Sequence, residues 1–228
     1  MITEFESQNS LGIFIHEQQT PEGVTTNVMN PNLDHLMKST ASFVEQRIQS
    51  SMAAKAKLLE LRTNEILAAG QRLAQILAAG NKVMFCGNGG SAADAQHLAT
   101  ELVVKLHHDR RPLPSLALTT DTSILTAAGN DFGFREIFSR QVLALGAQGD
   151  ALVGISTSGK SENVRAAVAA AKSKGLVTFG LLGKDGGPLA TEVDYPILVP
   201  EHDTQRIQEC HILIGHIWME LIEHELFD

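Results

Sequence analysis

Apolar positions change their period along this chain. From Leu36 through Phe43, Ile48 and Met52 they recur at helical spacing, with Asp34 as the expected N-cap. A second helical run covers Asn64 to Ala79, with Ile66, Leu67, Leu73, Ile76 and Leu77 on one side, and Gly80 supplies its stop. Then Lys82-Val83-Met84-Phe85-Cys86, short and apolar, runs straight into glycines, the pattern of a buried strand ending in a functional loop. From there the two periods alternate. Helical Ala92–Leu106 precedes strand-like Ser115–Leu118, and helical Ser123–Ala128 and Phe134–Leu145 precede strand Ala151–Ile155. Helix Ser161–Lys172 leads to strand Leu176–Leu181, and Tyr195–Val199 is a weaker strand whose proline places it at an edge. The last helix covers about Thr204 to Glu225. Alternation of this kind predicts an α/β fold: a three-layer sandwich with a central parallel sheet, preceded by N-terminal helices and closed by a long buried C-terminal helix. Ligands of such sheets bind at the carboxyl ends of the strands.

Residues 1–32 differ from the rest. Gln18–Gly23 and Asn30-Pro31-Asn32 are turn and breaker clusters around one apolar island, Ile13-Phe14-Ile15. The expectation is a flexible extension over 1–32 with one small docking patch, and a main domain over 33–228. The formal charge is −8, and no basic stripe alternates with aromatics, which argues against a nucleic-acid partner. No run of ~18 apolar residues exists, so no membrane span is expected. Met1–Gln8 is acidic without a basic stretch, so it is not expected to be a secretory signal. Cys86 and Cys210 fall in apolar patterns and read as reduced thiols of a cytoplasmic protein.

Two loops can hold an anion. Gly87-Asn88-Gly89-Gly90-Ser91 follows the first strand of the alternating region. Glycines let the backbone approach a ligand, and the next helix offers unpaired N–H groups. Gly87, Gly89 and Ala92 imitate a dinucleotide fingerprint, but no acidic residue ends a second strand at the required distance. Ser156-Thr157-Ser158-Gly159-Lys160-Ser161 gathers hydroxyls and a glycine at a helix start, all able to donate to one phosphate. Two such loops without a Walker-type lysine favour a sugar phosphate over a nucleotide.

His97 and Glu101 lie four apart on the helix after the first loop and share a face. Gln208 and His216 lie eight apart on the last helix, within one broad face. If the helices meet, the four groups converge, either as zinc ligands or as a metal-free acid/base pair with two orienting groups. The last helix is apolar nearly all round, which predicts burial in an oligomer interface. His211 reads as a satisfied core histidine or as a group supporting the site from behind, and the tandem His107-His108, ahead of Asp109-Arg110-Arg111-Pro112, as solvated loop rather than ligand.

With these motifs together, the chain from about residue 40 onward resembles the phosphoheptose isomerases of the sugar-isomerase (SIS) domain superfamily. The carriers are Cys86–Ser91, Asp94-Ala95-Gln96-His97 with Glu101, Gly129-Asn130-Asp131-Phe132-Gly133, Gly154–Ser161, Gly183–Gly187, and Arg206-Ile207-Gln208-Glu209 followed by His216. The resemblance implies a cytoplasmic homotetramer with active sites at subunit contacts. It implies interconversion of sedoheptulose 7-phosphate and D-glycero-D-manno-heptose 7-phosphate, early in nucleotide-heptose synthesis for bacterial surface glycans. By motif it makes Asn88, Gly89, Gly90, Asn130 and Asp131 sugar contacts and Ser156, Thr157, Ser158 and Ser161 phosphate contacts. Glu101 and His216 match the acid/base positions. His97, Glu101, Gln208 and His216 match ligands of one zinc per subunit, with Glu101 and Gln208 also touching substrate. Where relatives often carry a Gly-Arg-aromatic run, Val104-Lys105-Leu106 stands here, keeping a charge but not a planar fork. The rival readings are a non-catalytic SIS tetramer, which binds a replication initiator or senses a sugar phosphate, and an isomerase of another ketose phosphate. Glu101 together with His216 favours the enzyme, since fold alone decides nothing.

Overall fold

Each strand of the main sheet sends alternate side chains to opposite faces, and the two faces carry separate cores. Val83 and Phe85, Val153, Phe179 and Leu181, and Ile197 and Val199 belong to one. Met84 and Cys86, Leu152, Leu182 and Leu198 belong to the other. This is the period-2 pleat at work on strands buried on both sides.

In the computed structural model the backbone is described for residues 5–8, 14–19, 25–27 and 31–228, and side chains from Ser39 onward. The chain divides into two units, Met1–Ser50 and Ser51–Asp228. In the first, β1 (Phe5–Gln8), β2 (Phe14–Gln19) and β3 (Thr25–Asn27) pair antiparallel in that order. The sequence pattern did not announce these short strands. The docking patch expected at Ile13-Phe14-Ile15 lies outside the residues whose side chains are described.

The two N-terminal helices expected from the sequence are one helix, α1 (Pro31–Ala78). Between Met52 and Asn64 the chain holds alanine, leucine, lysine, glutamate, arginine and a single threonine, without glycine or proline, so nothing breaks it. Its first residue is Pro31, which tolerates that position because its missing N–H would have no partner there, so Asp34 lies inside the helix rather than capping it.

The second unit continues with β4 (Val83–Gly87), α2 (Gly90–Val103), β5 (Ser115–Ala117) and α3 (Thr122–Phe132). Then follow α4 (Ser139–Leu145), β6 (Ala151–Ser156), α5 (Glu162–Ser173), β7 (Val177–Gly183), α6 (Leu189–Glu192), β8 (Tyr195–Val199) and α7 (Thr204–Phe227). The sheet is parallel throughout, in the order β5-β4-β6-β7-β8. Pro196 sits on the edge strand β8, where its missing donor breaks no ladder. Helices α1, α2 and α7 cover one face and α3 to α6 the other, giving the expected three layers. The helix expected over Phe134–Leu145 is broken into a 3-10 turn, Phe134–Glu136, and α4, with Ile137 and Phe138 both buried at the break. Helix α6 is a single turn, too short to show a period.

Helix α7 buries a stripe, Ile207, Cys210, Ile214, Trp218 and Ile222, each side chain of this kind contributing ~1.5–3 kcal/mol. Trp218 also donates its indole N–H to the Ile66 carbonyl at 3.0 Å. Within one chain the helix is not wholly covered. Leu213, Ile217 and Leu221 line an apolar groove of about 330 Å³ with Leu59 and Leu67 of α1.

The loop after α2 exposes His107 and His108, as expected, together with Asp109 and Arg111, but it buries the Arg110 side chain. Arg110 and Glu223 of α7 are each 2% exposed in their side chains and pair at 2.8 Å. Glu223 also accepts the backbone N–H groups of Leu106, His107 and His108 at 2.9–3.0 Å. Burial pushes the Glu223 carboxyl up, but those three N–H groups and Arg110 pull it further the other way, to about 2. The stability this ionised group contributes is therefore full above about pH 4.5 and lost as pH falls through about 2. The stability difference between wild type and Glu223→Gln, followed by denaturant melts, is expected to shrink across that window. A gap that stays constant with pH would contradict the assignment.

Candidate active site

Both anion-holding loops leave the carboxyl ends of neighbouring strands, β4 and β6. Asn88 and Asn163, the latter in the first turn of α5, exchange amide hydrogen bonds at 2.9 and 2.8 Å and tie the loops together. Sequence reading missed Asn163, because its partner is 75 residues away. Gly89 has φ 56° and open space above it. A side chain at Gly90 would come within 2.6 Å of the Gln208 amide nitrogen, so glycine there lets α7 lie against the first turn of α2.

In the second loop the buried Ser156 hydroxyl meets that of Ser161 at 2.9 Å. Ser161 precedes α5 but its side chain does not cap it, and Ser158 accepts the Lys160 N–H at 3.2 Å. Thr157 is half-buried between them. The hydroxyls thus gather at the start of a 12-residue helix, where the dipole favours an anion.

Helices α2 and α7 approach closely where Gly215 faces Leu98, since any side chain at 215 would strike the Leu98 methyl groups at 2.5 Å. That contact sets His216 opposite His97. Their Nε2 atoms face each other at 3.0 Å, and Glu101 Oε1 lies 3.1 Å from His97 Nε2 and 3.4 Å from His216 Nε2. Glu101 is 8% exposed, and its Oε2 is buried without a hydrogen-bond partner. His97 is half exposed, so the trio opens to one side. A four-coordinate ion with bonds of about 2.0–2.1 Å would hold its ligand atoms roughly 3.3 Å apart, close to these three separations. The trio could therefore hold a metal ion. Asp94 lies one turn before His97. Burial pushes its carboxyl up, against the pull of His97 and His216.

Residues 48–183 match the SIS domain family. The chain belongs to that family. It is 50% identical over 188 residues to the phosphoheptose isomerase of Clostridium acetobutylicum, covering 82% of this chain and 96% of the relative. The solved phosphoheptose isomerase of Neisseria gonorrhoeae is 44% identical, with TM-score 0.77, over 81% of this chain and 99% of that one. That of Francisella tularensis is 36% identical, with TM-score 0.79, over 81% and 98%.

Not every residue expected at the site of this SIS domain joins it within one chain. Asn130 and Asp131, at the end of α3, are exposed and bond each other at 2.8 Å, and no hydrogen bond among the described residues joins them to either loop or to the trio. His107 is exposed, as expected. His211 is fully buried, its Nε2 3.1 Å from the Leu182 carbonyl oxygen, and burial pulls it down to about 4, so it is neutral. Cys86 and Cys210 are free and buried. Among the described residues no helix is long and apolar enough to cross a membrane.

Proposed function

We propose that this chain is an aldose–ketose isomerase interconverting sedoheptulose 7-phosphate and D-glycero-D-manno-heptose 7-phosphate, a step toward nucleotide-heptose synthesis for bacterial surface glycans. The observation that carries this reading is the convergence of His97, Glu101 and His216, on a chain half identical to a phosphoheptose isomerase. The same convergence favours an enzyme over a non-catalytic tetramer of this fold.

The reaction moves one proton between C1 and C2 and another between O1 and O2. In the ketose-to-aldose direction the Glu101 carboxylate takes a C1 proton, giving an enediol, and returns it to C2. His216 protonates O2 and accepts the proton leaving O1, so charge balances over the cycle. The imidazole nitrogens of His97 and His216, the Glu101 carboxylate and the Gln208 amide oxygen would hold zinc, one per subunit, which when bound would supply positive charge to stabilise the enediolate. His97 then orients the site. Asn88, Gly89, Gly90, Glu101 and Gln208 contact the sugar, and Ser156, Thr157, Ser158 and Ser161 hold the phosphate. Asn130 and Asp131 complete the sugar contacts in a homotetramer with sites at subunit contacts. The apolar groove between α1 and α7 supports that assembly, because a second copy would cover it. We place the enzyme in the cytoplasm, and residues 1–32 outside its catalytic domain.

Incubation with sedoheptulose 7-phosphate, followed by NMR beside hexulose and pentulose phosphates, tests the reading. Aldose heptose phosphate should form fastest. A preference for a shorter ketose would select the second isomerase reading, and no turnover of any would select the non-catalytic one. The phosphate loop has its own test. Replacing Ser156 and Ser158 with Ala removes charge-assisted bonds worth ~1.5–3 kcal/mol each, so KM should rise at least about tenfold. An unchanged KM would move the phosphate to the Gly87 loop.

A further inference from the structure

We propose that Arg110 and Glu223 are positioning residues for the isomerisation, holding the Glu101 backbone and the His216 helix in one rigid register. This rests on the isomerase reading above and adds to it a device outside the reacting groups. The geometry is specific. Helix α2 ends at Val103, with the Val104 N–H closing on the Thr100 carbonyl, so the Glu101 and Leu102 carbonyls lack intrahelical partners. Arg110 supplies them from a single fork: Nη2 donates to the Glu101 carbonyl at 2.8 Å and Nη1 to the Leu102 carbonyl at 3.0 Å. The residue whose carboxylate sits between two imidazoles thus has its own main chain fixed by a buried guanidinium.

The guanidinium is fixed in turn from the other helix. Its Nε donates to Glu223 Oε1 at 2.8 Å, and Glu223 lies seven residues after His216, two turns along the same helix. Residues at that spacing share a face, so the carboxylate that grips Arg110 and the imidazole that faces His97 project toward α2 together. The remaining Glu223 lone pairs take the N–H groups of Leu106, His107 and His108, which leaves the loop no freedom to swing away. Phe227 closes the clasp, its ring centroid 5.5 Å from the Arg110 guanidinium carbon. Contacts therefore run along the α2–α7 seam from Gly90 with Gln208, through Leu98 with Gly215, to Arg110 with Glu223. The reacting trio straddles the Leu98–Gly215 contact, with Glu101 and His216 on its Arg110–Glu223 side. Loosening the far end would let Glu101 turn relative to His216 without touching the serine loop.

The test uses Arg110→Lys, which keeps the charge but cannot bridge two carbonyls and a carboxylate at once, and Glu223→Gln as an independent variant. Both are compared with wild type and with Glu101→Gln, at a temperature where circular dichroism shows all four folded. Expected are a kcat at least tenfold lower in each, and a KM within about twofold of wild type. Zinc affinity, measured with a competing chromophoric chelator, should be lower by about 10–100-fold, the usual effect of losing a partner that orients a ligand. In the Glu101→Gln background, Arg110→Lys should lower kcat no further, since its effect passes through that carboxylate. Folded variants with wild-type kcat and zinc affinity overturn the proposal, as does a full additional loss in the double variant. If Arg110→Lys does not fold, Glu223→Gln decides by the same readings. Wild type without isomerase activity overturns the isomerase reading instead, and the zinc titration of the variants then still decides whether the clasp orders the trio.

Discussion

Glu101→Gln is expected to lower turnover by about 10²–10⁴-fold, the contribution of a well-placed general base. Sugar-phosphate affinity should stay within about threefold. The substitution keeps the size of the side chain and its place at the seam but removes the basic oxygen that lies 3.1 Å from His97 and 3.4 Å from His216. It also leaves Ser156, Ser158 and Ser161 untouched, so binding and chemistry separate in one variant. Three measurements decide the outcome: kcat and KM by NMR, binding by titration of substrate onto the variant, and bound zinc by elemental analysis. Lost turnover with zinc retained assigns the loss to proton transfer. Lost turnover with zinc lost as well would make Glu101 first a ligand, and His97→Ala should then reproduce it. Turnover like wild type would remove the reason for calling the chain an isomerase, and the sugar-phosphate-sensing tetramer would lead.

The legible parts of this molecule are those written in local pattern. Lys82–Cys86 and Ala151–Ile155 read as strands because each is a short apolar run ended by glycine, serine or threonine, and the structure buries every residue of β4 and β6. Pro196 placed β8 at the edge through a missing donor alone. His97 and Glu101 were visible as one face of one helix. What brings His216 to them was not, because the decisive contact is Gly215 against Leu98, and a glycine inside an apolar helix carries no sign of what it faces. The burial of Arg110 was not legible, for a related reason. Two histidines, an aspartate and two arginines in a row look solvated, and the partner that buries Arg110 lies 113 residues further on. Helix α1 was divided in two because its apolar spacing loosens after Met52, where composition rather than period keeps the helix going.

Gly159→Ala is expected to destabilise the protein by about 2–5 kcal/mol and to disable the phosphate loop. Gly159 has φ 64°, a conformation that costs a residue with a Cβ roughly 1–2 kcal/mol. A methyl group there would also fall inside the Gly186 carbonyl. That neighbour is backbone, so the clash cannot be relieved by a rotamer change, and crowding of this kind adds about 1–3 kcal/mol. The two loops are also bonded directly, Leu189 donating its N–H to the Gly159 carbonyl at 3.3 Å. Moving Gly159 aside would pull on the turn in which its own N–H reaches the Ser156 carbonyl at 3.2 Å, and so on the Ser156–Ser161 hydroxyl pair. For a chain of this size each kcal/mol shifts the melting midpoint by about 2–4 °C, so a drop of roughly 4–20 °C should appear by calorimetry, with KM raised in the fraction that stays folded. The neighbouring Lys160→Ala is the control. It removes only an exposed pair with Asp185 at 3.4 Å, and pairs of that kind contribute ~0–1 kcal/mol. Gly159→Ala melting together with Lys160→Ala would mean that the loop after β6 yields easily. The close packing of the Gly159 and Gly186 turns would then not be what holds the hydroxyls in place.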